Sequence, residues 1–321
     1  MLTQGCSING MMGDTMSRYA QEHMVPYLLA YGDTEAACGT GVAMGSFLNS
    51  FERVTTPPHK AAVPTLLSAA LCAQGAAWEA ELQRLRHISN KNVAGAVDAR
   101  IVEQRQHEVA ARRLYESYTR TVAEFGSPKV GCPQLDTKFD ELVWLLGMLS
   151  AIQGVQHDRG ANGAVGIPLD APVHAARGTQ CLNNEAWWGV PDAIKAAIWA
   201  TIPGSGPDDA DPWSVLDTAV KIGDKKGVRL AHAIRIQTAD AGGHKDKVVE
   251  ALKAMAESLE RVAPSARWLT FDRIAFVQAR VVSDRIWTKA TGSRTPYGEF
   301  GVLPADEIGE PEADDDLLEG L

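Results

Sequence analysis

Apolar residues recur at helical spacing along nearly the whole chain, and strand-like alternation is scarce. The pattern predicts a first helix from Asp14 to Tyr31, bent or divided at Pro26. Gly32 suits a helix C-terminus, and Asp33 or Thr34 caps a second helix reaching about Arg53. A third helix starts after Pro58 and runs to about Gln74. A long helical stretch then covers Ala76 to Phe125, interrupted near Ser89–Asn92. Gly126 and Pro128 stop it, and Asp136 or Thr137 opens the next helix.

That next helix contains Leu142-Val-Trp-Leu-Leu-Gly-Met-Leu-Ser-Ala-Ile152, apolar on nearly every side. The run is about half the length needed to cross a bilayer, so it predicts a core helix. No other stretch is expected to cross a membrane. A loop over 160–166, a short helix Ala171–Cys181 and a turn at Trp187–Pro191 follow, then a helix to Thr201. Two further helices are expected at Trp213–Ile222 and Val228–Ala239. The clearest pair closes the pattern: Val248, Leu252, Met255 and Leu259 share one face, and Trp268–Trp287 forms its partner. The fold class is therefore all-α, either stacked helical hairpins of tetratricopeptide or α-solenoid type, or an irregular helical bundle. The expected organisation is a tether over 1–13, one helical domain over 14–304 with a sub-boundary near 203–210, and a disordered acidic tail over 305–321.

Charge changes the picture at one end only. The formal net charge is −9, and the tail holds eight acids with no Lys or Arg. The remainder is close to neutral, so the basic footprint of nucleic-acid binding is absent. Five cysteines include no Cys-x-x-Cys pair, which argues against a structural zinc site. Gly5-Cys6 looks like the cleavage end of a bacterial lipoprotein signal, with Cys6 as the lipidated residue; an inert terminal thiol is the alternative. The other four cysteines are an even number, and Cys132 with Cys181, each beside turn residues, is the first pair to expect.

Candidate chemistry is sparse. No His-Glu-x-x-His pair occurs, and neither a metal nor a cofactor is expected. Gly160, Gly163 and Gly166 lack the Lys-Ser/Thr pair and the preceding strand of a phosphate loop, so a turn is the expected reading. His157-Asp158 stands at a helix end, where a capping role suffices. Trp187 and Trp188 are adjacent in a turn. They either cap the core where helices meet or line a ligand pocket, with Trp144 as a further candidate.

Several features together resemble a known family. They are the Gly5-Cys6 start, the Met-rich first helix, the αα-hairpins, Gly163-Ala-Val-Gly-Ile-Pro168 and Cys181-Leu-Asn-Asn-Glu-Ala-Trp-Trp-Gly-Val-Pro191. The chain resembles the T-component lipoproteins of tripartite ATP-independent periplasmic (TRAP) transporters, from about residue 6 to 300. The resemblance implies a helical, tetratricopeptide-like periplasmic lipoprotein, anchored to the membrane by lipid alone. It implies a role beside a periplasmic substrate-binding protein, handling an apolar small ligand; homo-oligomerisation stays open. Only Cys6 carries over as a matched residue. The expected function is a non-enzymatic ligand-handling or interaction scaffold. The alternatives are a helical enzyme with a His157, Asp158 and His174 site in the 155–190 loops, or a structural assembly protein.

Overall fold

The computed structural model describes residues 8–304, so Cys6 and the acidic tail lie outside the described residues. The protein is an all-α packed bundle, and the described residues form no strand. Helix α1 covers Ile8–Tyr19, so part of the expected tether is already helical. A π-helical turn, Ala20–Met24, leads into α2, Val25–Tyr31. The turn has a cause in Pro26. Its ring lacks an N–H and clashes with the carbonyl four residues back, so the ladder widens ahead of it. Gly32 adopts φ +79°, and Asp33 caps α3, Thr34–Ser50, by accepting from the backbone N–H groups of Glu35 and Ala36.

The next helix corrects the sequence reading. Helix α4 runs unbroken over His59–Ser89, through Pro64 and past Gln74–Ala76, where a break is expected from the sequence. Packing against its neighbours overrides the weak helix propensity of Gly75. Part of α4 is also long and apolar enough to cross a bilayer, which the sequence reading did not anticipate; most of that part is buried inside the protein. Helix α5, Val93–Phe125, folds back along α4. Helix α3 lies against α4 so closely that a Cβ on Gly41 would strike the backbone of Ala69. One turn from that contact the disulfide Cys38–Cys72 joins the two helices, with Cα atoms 5.5 Å apart.

Thr137 opens α6, Lys138–Gly160, with a full capping box closed by Asp140. Leu142 through Leu146 and Met148 are all buried, and α6 packs on α5, α4 and α7, Ala171–Thr179. Gly147 lets α5 approach, because a Cβ there would overlap the Thr121 side chain. Ser117 Oγ and Ser150 Oγ are 2.9 Å apart at the same seam, and Ser117 also donates to the Val63 carbonyl at 3.2 Å. Cys132 and Cys181 form the second disulfide, tying the segment before α6 to the end of α7.

The second half adds α8, Val190–Thr201; α9, Pro212–Lys226; α10, Leu230–Ala241; α11, Lys245–Arg261; and α12, Leu269–Thr291. One hydrophobic core runs from Val25 to Val282, across the sub-boundary expected near 203–210. The last helix returns to the first hairpin. Thr270 Oγ1 donates to the Leu28 carbonyl at 2.5 Å and accepts from the Gly32 N–H at 3.0 Å.

A buried charge network fastens α9 to α12. Arg229 is 1 % exposed and Asp272 2 %. The Arg229 guanidinium grips both Asp272 oxygens at 2.9 and 2.8 Å, and also donates to Ser258 and the Val262 carbonyl. Ser258 donates to Asp224 at 2.6 Å, and His232 lies 2.9 Å from the same carboxylate. Breaking a buried pair leaves an uncompensated charge, whereas replacing both partners does not. Arg229→Met should lower unfolding free energy by about 3–5 kcal/mol in urea titrations. Arg229→Met combined with Asp272→Leu should recover most of the loss. An equal loss in the double variant would contradict this account.

Candidate functional site: a cleft between five helices

Faces of α4, α6, α8, α10 and α12 converge without closing. Between them lies an apolar chamber of about 90 Å³, walled by residues such as Leu67, Leu149, Ile198, Ile234 and Ile274. Sharing part of its wall is a polar chamber of about 240 Å³ that includes Gln74, Trp78, His107, His157, Asp240 and Arg285. Gln153, Gln156, Gln237 and Gln278 border both. The layout follows from helical spacing. On α4 the cleft face runs Leu67, Leu71, Gln74, Trp78; on α12 it runs Phe271, Ile274, Gln278, Arg285. On each, polar side chains join the face toward the C-terminal half.

The centre of the polar chamber is a pair of histidines. His157 Nδ1 and His107 Nδ1 are 2.7 Å apart. Gln74 Nε2 lies 3.0 Å from His157 Nε2 and also donates to Gln153 Oε1 at 3.0 Å. These contacts assign the tautomers. His157 accepts at Nε2 and donates from Nδ1; His107 accepts at Nδ1 and turns its own proton toward Glu103, 3.9 Å away. Glu103 is itself held by Arg84 at 2.8 Å and Arg100 at 2.6 Å. Burial, with a smaller contribution from His107, holds the His157 pKa at about 3. Burial also lowers that of His107, partly offset by Glu103 and Glu81. Both rings are therefore neutral at physiological pH. Burial opposes the Arg285 charge, but Glu81 and Asp240 outweigh it and raise its pKa.

The residues expected from the sequence fall elsewhere. Trp144 is fully buried and donates to the Gly178 carbonyl at 2.8 Å, bordering neither chamber. Trp188 stands in the left-handed region with φ +58° and packs edge-on to Trp187 and Trp268. Trp187 donates to Glu141 at 2.7 Å and edges a separate hollow of about 630 Å³. That hollow also holds Lys60, paired with Asp140 at 2.8 Å, and Arg267, stacked on Trp268. The Trp pair thus belongs to an aromatic cluster at the end of α12, only one edge of which reaches a hollow. Cys132 and Cys181 are joined to each other.

His157, Asp158 and His174 do not converge. His157 points into the cleft rather than capping its helix. Asp158 accepts from the backbone N–H groups of Val165 and Ile167 at 2.8 and 2.9 Å. The glycine loop that could be imagined around a phosphate is thus filled by the chain's own carboxylate. His174 lies 3.0 Å from Asp170 on α7. The sequence reading missed Gln74, His107 and the glutamine collar. Their signal was available: each glutamine continues an otherwise apolar helix face.

Compared with family models, curated proteins and solved structures, the chain matches none of them. Function is accordingly argued from the geometry.

An unfolded chain protonates the residue-157 imidazole below its ordinary pKa of 6.5, and the folded one only near 3. The folded state therefore keeps its full stability above pH 6.5 and loses it as pH falls toward 3. The maximal slope from this group is about 1.4 kcal/mol per pH unit. His157→Gln should flatten the pH dependence of unfolding free energy across that window by about one proton. An unchanged slope in urea titrations at a series of pH values would refute a neutral buried ring.

Proposed function

We propose that this protein is a non-enzymatic, α-helical ligand-handling protein that holds a small apolar group in the five-helix cleft. The observation that supports this is the apolar chamber bordered by a polar collar that it shares with a second chamber. Such a shape buries one end of a small molecule and orients the other. Two disulfides suggest an oxidising, extracytoplasmic location. On the resemblance to TRAP T-components, the protein is a lipoprotein anchored through Cys6, and it passes ligand to or from a periplasmic substrate-binding protein.

Ligand-observed NMR with n-pentane tests the cleft. Saturable binding is expected, and Ala197→Phe, which fills the chamber from α8, should weaken it at least tenfold with helicity unchanged. Pentane bound equally by the variant would place it elsewhere. The anchor has its own test. Intact-mass analysis of protein extracted from membranes should find a diacylglyceryl adduct on Cys6; a free Cys6 thiol there would remove the lipoprotein reading.

A further inference from the structure

The collar has a chemical preference of its own. Gln74 is 1 % exposed. Its amide nitrogen is occupied by Gln153 and His157, while its Oε1 has no hydrogen-bond partner. A buried acceptor left unpaired is costly, and a donor brought to it removes the cost. The surrounding amides of Gln153, Gln237 and Gln278 offer both donors and acceptors.

The charges at the same wall are bonded to one another. Arg285 holds both Asp240, at 2.5 Å, and Glu81, at 2.8 Å. Both histidines are neutral, for the reasons given above. His157 lies in the last turn of α6, and Asp240 and Ala241 in the last turn of α10. Helix C-termini carry partial negative charge and disfavour an anion. The wall offers no free cation to a carboxylate and no free carboxylate to an ammonium.

Size sets the rest. Benzene fits a cavity of roughly 150 Å³, or about 25 Å³ per heavy atom. On that scale the apolar chamber takes about four carbons, and the rest of a five- or six-carbon chain reaches toward the collar. From these observations we infer that the cleft selects a small amphiphile with a short aliphatic end and an uncharged, hydrogen-bond-donating head, an alcohol or primary amide, seated on Gln74 Oε1. This rests on the ligand-handling reading and specifies its ligand class.

The test is a six-carbon series measured by ligand-observed NMR at pH 7: 1-hexanol, hexanamide, 2-hexanone, hexanoate and hexylammonium, with n-pentane as the headless reference. The alcohol and amide should bind at least tenfold tighter than the ketone, the carboxylate or the ammonium. Gln74→Met keeps the length and removes the acceptor; it should cut that preference below threefold and leave pentane binding unchanged. Should Gln74→Met fail to fold, the series on the native protein still decides. Pentane binding with no head preference, or with the ketone, hexanoate or hexylammonium preferred, overturns this inference and leaves the cleft reading standing. No binding by any member, pentane included, overturns both.

Discussion

One helix constrains the rest of this molecule. Helix α6 has no polar face over Leu142–Ala151 except Ser150, which pairs with Ser117. Water on any side of it would be costly, so helices must stand on every side. The sequence meets that demand with small residues where backbones come closest and with an internal carbonyl for the one indole N–H, that of Trp144. The cleft is a by-product of the same demand. Five helix faces are drawn toward one line, and they meet short of full contact.

Charge is handled in two ways. Between α9 and α12, Arg229 is paired with Asp272, and Asp224 is held by Ser258 and His232. Such a network fixes geometry. Around the cleft, buried polar groups are mostly uncharged. Each region contains histidine and holds an unpartnered buried atom, His232 Nδ1 in the network and Gln74 Oε1 at the cleft. What separates them is that Gln74 borders a chamber.

Much of the helix inventory was legible locally. Gly32 with Asp33, Thr137 with Asp140, and Gly126 mark ends by short-range chemistry that a sequence shows directly. The failures have tertiary causes. Gly75 looks like a break, but α4 continues because its neighbours hold it. The site was far less legible. Gln74, His107, His157, Gln237 and Arg285 come from five helices, and nothing local says which faces will meet. The adjacent tryptophans were conspicuous in sequence because indoles are, yet they mainly seal the core.

The two disulfides give the cleft walls unequal mechanics. Cys72 lies on α4 between Leu71 and Gln74, so that wall is welded to α3. Cys132–Cys181 encloses α6 and α7 in one covalent ring. Helices α10 and α12, which form the opposite wall, carry no covalent link of this kind among the described residues. Two sides of the cleft therefore act as a fixed jaw. Any widening that admits a guest falls to the opposite side, hinged on noncovalent packing alone.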